Sequence, residues 1–255
     1  MSDDLDDAPI VTIRGLTKRF DSFTAVREVD LEVARGEILA LVGQNGAGKT
    51  TTIRMLMGIL APSEGSARID GFDCFAERPK VMERVGYLPD EPWFSDHLRG
   101  GEIARFCGEM RGMEREVIVA RAHDLAVRLQ IEDALDDYAV NYSMGMRKKL
   151  ALLCAMLHQP RLLILDEPTN GLDPLATQAL LSLVREQVAA GCAVFYSTHL
   201  LHQAERLCHR VAIMAEGRIA ALGTPTGLRD ELAPGGTLED VFFRVVGRID
   251  AAPPS

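Results

Sequence analysis

The sequence predicts an α/β protein: a mainly parallel core sheet, an antiparallel β region ahead of it, and a helical block inserted between core strands. Three observations carry that prediction. Two short runs, Ile38-Leu-Ala-Leu-Val42 and Leu162-Leu-Ile-Leu165, are apolar throughout, as strands buried on both faces of a parallel sheet must be. Around Val29, Leu31 and Val33 the apolar residues alternate with Asp30 and Glu32, which is the period of a half-buried strand. Between residues 92 and 150 the apolar spacing becomes three and four, as in Ile103-Ala-Arg-Phe-Cys-Gly-Glu-Met110, the repeat of helices.

The elements follow in order. Residues 10–71 read as strand-rich and residues 92–150 as the helical subdomain. From Leu162 onward strands and helices alternate, with a helix near residues 175–190 and a strand at Ala193-Val-Phe-Tyr196, the succession of a parallel α/β core. Val211-Ala-Ile-Met-Ala-Glu-Gly-Arg-Ile219 reads as two short strands joined at Glu216-Gly217, a hairpin signal. Residues 1–9, with four aspartates and a proline, and residues 247–255, which end Ala-Ala-Pro-Pro-Ser, are expected to be flexible tails. One domain, residues 10–246, is left between them.

Composition bounds the function. The chain has 255 residues, 47% of them hydrophobic, so disorder is excluded for most of its length. Its longest apolar run, Leu150-Ala-Leu-Leu-Cys-Ala-Met-Leu157, falls far short of the ~20 residues of a spanning helix. An acidic N-terminus argues against a signal peptide, and five scattered cysteines without a C-x-x-C pair argue for reduced thiols. With 28 basic and 37 acidic side chains the net charge is −9, which disfavours a nucleic-acid partner. A cytoplasmic globular protein is expected.

Gly43-Gln-Asn-Gly-Ala-Gly-Lys49-Thr50 matches G-x-x-x-x-G-K-[ST] in full. The apolar strand 38–42 enters it and an apolar helix beginning Thr51-Thr-Ile-Arg leaves it, the context this phosphate loop requires. Glycines let successive backbone N–H groups converge on phosphate oxygens, and the helix end adds unpaired N–H groups and a positive dipole. Gly43, Gln44, Asn45, Gly46, Ala47, Gly48, Lys49, Thr50 and Thr51 are therefore the expected ATP-binding segment. Lys49 faces the β- and γ-phosphates and Thr50 offers its hydroxyl to Mg²⁺. The core is expected to be of the P-loop NTPase type.

Leu162-Leu-Ile-Leu-Asp166-Glu167 is an apolar strand ending in two carboxylates. Asp166 suits a Mg²⁺ partner, while Glu167, one residue on, is placed to polarise an attacking water. ATP and Mg²⁺ are the expected cofactors. His199, His202, Cys208 and His209 also offer metal-ligand types, but helical spacing does not bring all four to one face.

With these motifs in this order the chain resembles the ATP-binding subunit of an ATP-binding-cassette (ABC) transporter over residues 10–246. Asn141-Tyr-Ser143-Met-Gly145-Met-Arg-Lys-Lys-Leu150 resembles the family's signature, Pro168-Thr-Asn-Gly-Leu-Asp173 its D-loop and Tyr196-Ser-Thr-His199 its switch histidine. The resemblance implies that Ser143 and Gly145 head a helix pointing at nucleotide held by a second copy. It also implies that His199 contacts the γ-phosphate and that Phe20, after Leu16-Thr-Lys-Arg19, stacks on adenine.

Two positions depart from the family. Met144 and Met146 replace the usual signature glycine and glutamine, a variant resembling stand-alone subunits of bacterial drug, antibiotic and polysaccharide exporters. In Val85-Gly-Tyr-Leu-Pro-Asp90-Glu-Pro-Trp93 the usual Q-loop glutamine is Asp90. Three readings of Asp90 stand open: a Mg²⁺ ligand through water, a role passed to Glu91, or a loop acting as a hinge to a membrane partner.

The resemblance implies an ATPase that forms a nucleotide-sandwich homodimer and powers transport, as export, through a separate integral membrane permease on the inner face of the cell membrane. A translation-associated or chromosomal cassette ATPase fits worse, because a second cassette or a long coiled coil has no room in 255 residues. A small-molecule kinase leaves Ser143, Asp173 and His199 unexplained.

Overall fold

The structure, a computed structural model, describes residues 8–250, with side chains to residue 247. The chain forms two compact units, one of residues up to Met82 together with those from Ala193, the other of Glu83–Cys192. The first begins with β1 (Val11–Phe20), β2 (Phe23–Val33), β3 (Ile38–Val42), α1 (Lys49–Leu56), β4 (Glu64–Ile69), β5 (Phe72–Asp73) and α2 (Arg78–Met82). The second holds β6 (Val85–Leu88), α3 (Gly100–Glu109), α4 (Arg115–Leu129), α5 (Met144–Met156), β7 (Leu162–Asp166) and α6 (Pro174–Ala189). The chain returns to the first with β8 (Ala193–Thr198), α7 (Leu201–Leu207), β9 (Arg210–Ala215), β10 (Arg218–Gly223), α8 (Pro225–Leu232) and α9 (Leu238–Asp250).

In the first unit the antiparallel sheet runs β2-β1-β4-β5. Val29, Leu31 and Val33 are buried while Asp30 is exposed, so the alternation does mark a half-buried strand. The same unit's β3 lies between β8 and β9 and is parallel to both, with β10 antiparallel outside β9. All five residues of β3 are buried, which explains a strand without a polar face. The β9–β10 turn places Glu216 at φ 47° and Gly217 at φ 79°, the two consecutive positive values of a type I′ hairpin.

In the second unit β6 and β7 pair in parallel, Val85 opposite Leu162. Helices α3, α4 and α5 pack on one another, α5 also on β6 and α4 on α6. Asp173 caps α6 by accepting from Ala176 N at 2.8 Å, with Pro174 at the first helical position.

Two sequence-based boundaries need correction. The helical block does not stop at 150: α5 continues to Met156, because Leu150, Leu152, Leu153 and Met156 bury its apolar side. The unit that contains it also takes in β6, β7 and α6. Residues 247–250, expected to belong to the C-terminal tail, are part of α9, which runs to Asp250; residues 1–7 and 251–255, where the tails were mostly expected, lie outside the described residues. Among the described residues no helix is long and apolar enough to cross a membrane. All five cysteines are reduced, and burial pushes the thiols of Cys74, Cys192 and Cys208 up to about 12.

Candidate functional site

The phosphate loop joins β3 to α1. Gln44, Asn45 and Gly46 are exposed, whereas Ala47, Gly48 and Lys49 are buried and Thr50 is exposed on the first turn. Gly48 is the residue before the helix, with φ 108° and no side-chain cap, and the positive end of the α1 dipole lies at this loop. Thr52 is turned inward, its hydroxyl donating to Gly48 O at 3.0 Å. Lys49 is only 7% exposed, and its ammonium donates to Gly43 O at 2.7 Å and Gln44 O at 3.2 Å. The lysine thus lies folded across the loop that its charge is expected to serve. The glycine loop, the start of α1 and the buried cation fit a polyphosphate.

A pocket of about 490 Å³ opens beside this loop, lined among others by Phe23, Ala25, Gln44, Gly46, Glu216 and Gly217. The hairpin turn is tied down on both sides: Gly217 N donates to Ala47 O at 3.0 Å, and Arg27 N donates to Gly217 O at 2.8 Å. Phe20, at the end of β1, is 44% exposed with the Lys18 ammonium 5.2 Å from its ring centre. It pairs in register with Phe23 across the β1–β2 turn, and it is Phe23 that lines the pocket. His199 stands exposed just past β8. Sequence reasoning missed Phe23, Glu216 and Gly217; the Glu-Gly hairpin signal located the turn without indicating what it faces.

The second unit carries the other candidates. Asp166 ends β7 at 3% exposure and Glu167 follows at 8%, with φ 45°, a left-handed backbone that costs a non-glycine residue about 1 kcal/mol. Ser143 caps α5, accepting from Met146 N at 3.2 Å, as the sequence anticipates. Gly145 lies against the D-loop segment, where an added Cβ would stand 3.4 Å from Gly171 O, and Met144 is 54% exposed. The backbone N–H of Ala176 holds the Asp173 carboxyl below its ordinary value.

Asp90 is not isolated. Its Oδ1 accepts from the Lys148 ammonium and from Asn170 Nδ2, each at 3.3 Å. Lys148, whose side chain is 1% exposed, also donates to Glu167 O at 2.7 Å and Asn170 O at 3.1 Å. Burial pushes its pKa down, and Asp90 works in the opposite direction. Sequence reasoning missed Lys148, since a lysine between Arg147 and Lys149 carries no sign of burial.

The comparisons with known proteins agree with this layout. The ABC transporter family model matches residues 26–170. YdbJ of Bacillus subtilis, an uncharacterized ABC transporter ATP-binding protein, is 39% identical over 214 residues, covering 84% of this chain and 68% of the relative. DrrA3 of Streptomyces coeruleorubidus, a daunorubicin resistance ATP-binding protein, is 34% identical over 242 residues, covering 95% and 76%. A solved ATP-binding subunit of an ABC transporter superposes with a TM-score of 0.88 at 32% identity, covering 92% of this chain and 99% of its own. By its phosphate loop, its fold and its relatives, this chain belongs to the ABC transporter family as one of its ATPase subunits.

Proposed function

We propose that this ATPase binds Mg·ATP, closes with a second copy of itself around two nucleotides, and hydrolyses them to drive export through a separate membrane-spanning subunit. The observation that carries the reading is the phosphate loop, with Lys49 buried across it between β3 and α1. Gly43 to Thr51 hold the phosphates through backbone N–H groups and the end of α1, and Lys49 neutralises charge on the β- and γ-phosphates. Thr50, on the first turn of α1, and Asp166, at the end of β7, are each a candidate to hold Mg²⁺, which when bound would offset the charge that develops on the transferred phosphoryl group. Asp90 is the weakest metal candidate, because its carboxylate already has a cation.

Glu167 accepts the proton of the attacking water, and His199 steadies the γ-phosphate. Phe20 stacks on adenine. Ser143 and Gly145, at the start of α5, complete the second copy's nucleotide site. Export is supported by the signature variant and by the drug-resistance name of one relative.

Glu167→Gln tests the core of this reading. An amide keeps the shape but is a poor proton acceptor. ATP binding should persist, turnover should fall by about a thousandfold, and Mg·ATP should trap a dimer in gel filtration. Native turnover in the variant would remove Glu167 as the base, and an ATP-loaded monomer would remove the sandwich.

A further inference from the structure

We propose that Lys148 is a positioning residue for hydrolysis: it fixes the backbone of Glu167 and makes that placement depend on the loop carrying Asp90. The inference rests on Glu167 being the base. An ammonium has three N–H donors and no acceptor capacity. Lys148 has three acceptors for them, Glu167 O at 2.7 Å, Asn170 O at 3.1 Å and Asp90 Oδ1 at 3.3 Å. A cation at 1% side-chain exposure is costly unless so partnered.

The geometry around it is closed. Asn170 N also donates to Glu167 O, at 3.2 Å, and Asn170 Nδ2 donates to Asp90 Oδ1 at 3.3 Å. Glu167 sits at φ 45°, a conformation that persists only where its surroundings hold it. Since the Cα–Cβ direction follows the backbone, the bonds to its carbonyl decide where its carboxylate starts from. Lys148 is five residues beyond Ser143 on the same helix, α5. One side chain therefore joins the signature helix, the turn that carries the base, and the loop at the family's glutamine position. In this chain the carboxylate of Asp90 serves as the counter-ion of that cation.

The experiment measures steady-state ATPase of the full chain, with ATP affinity measured separately and thermal unfolding as the check on folding. Lys148→Met keeps an unbranched side chain of similar reach without the donors. Its kcat should fall by about tenfold or more while KM and ATP affinity stay within about twofold, since substrate binding is not what is lost. Asp90→Asn, at a half-exposed site, should lower kcat by a smaller factor, leave the Mg²⁺ concentration for half-maximal rate unchanged, and add nothing in the double variant. It also carries the test if Lys148→Met does not fold.

Unchanged kcat in Lys148→Met, or a kcat loss matched by equal loss of ATP affinity, overturns the proposal. So does an Asp90→Asn variant with native kcat, or one altered only in Mg²⁺ requirement. Glu167→Gln, run alongside, separates the two failures. If it is inactive while Lys148→Met is native, only the positioning role falls; if it turns over normally, the assignment of the base falls and this inference with it.

Discussion

Gly48→Ala is the sharpest perturbation of the phosphate loop that the structure allows. The residue stands at φ 108°, a region closed to ordinary side chains at about 1–2 kcal/mol. A Cβ built there would lie 2.6 Å from Ala25 O and 2.7 Å from Met214 Cε. The methionine tip can swing away. The carbonyl cannot, because Ala25 belongs to β2, so overpacking adds about 1–3 kcal/mol. The total is about 3 kcal/mol, which for a chain of this size is an unfolding midpoint lower by about 6–12 °C. Gly46→Ala is the matched control: φ is 84° and an added Cβ would meet nothing within 4 Å, leaving only backbone strain of about 1–2 kcal/mol and a drop of about 2–8 °C, smaller than that of Gly48→Ala by the cost of the Ala25 contact. Calorimetry without nucleotide measures both variants on the same footing. Equal midpoints would refute the reasoning, since they would mean that contact with Ala25 O does not limit the loop.

Two further outcomes are expected. Phe20→Ala should weaken ATP binding about tenfold, the worth of one aromatic stack; native affinity there, with the loss appearing in Phe23→Ala, would move adenine onto the pocket-lining ring. Burial, helped by the Arg111 guanidinium 2.5 Å from Nε2, pushes the His158 pKa down to about 4. Because the unfolded chain then binds the extra proton first, stability is full above pH ~6.5 and is lost as pH falls toward 4. The loss is on the order of 2 kcal/mol after allowance for partial exposure, and His158→Gln should flatten the slope of unfolding free energy across that window.

What could be read from the sequence was what neighbouring residues decide together. The run 38–42, the glycines after it and the helix beyond define a strand, an anion cradle and a dipole within one short stretch, so no distant contact was needed. Glu216-Gly217 specified its turn for the same reason. The ionic network was invisible because its members come from positions 90, 148, 167 and 170. The triplet Arg147-Lys148-Lys149 looks uniformly solvated until packing turns the middle residue inward. Asp90 could be recognised as unusual but not explained, since its partner lies 58 positions away. Likewise Phe20 carries the motif-based signal, and only the closed β1–β2 turn reveals that Phe23 lines the pocket.

The hairpin turn tied to Ala47 and Arg27 has a thermodynamic consequence. The pocket it closes is assembled from segments near residues 23–27, 44–47, 214–217 and 246, which are brought together only when the unit is folded. On the function proposed above, nucleotide binds the native chain and not the unfolded one. By mass action, free ATP at a hundred times its dissociation constant adds about 2.7 kcal/mol to the unfolding free energy. On that reading the subunit is held together partly by its fuel: as the ATP level falls, the same molecule becomes easier to unfold, with no change in its sequence.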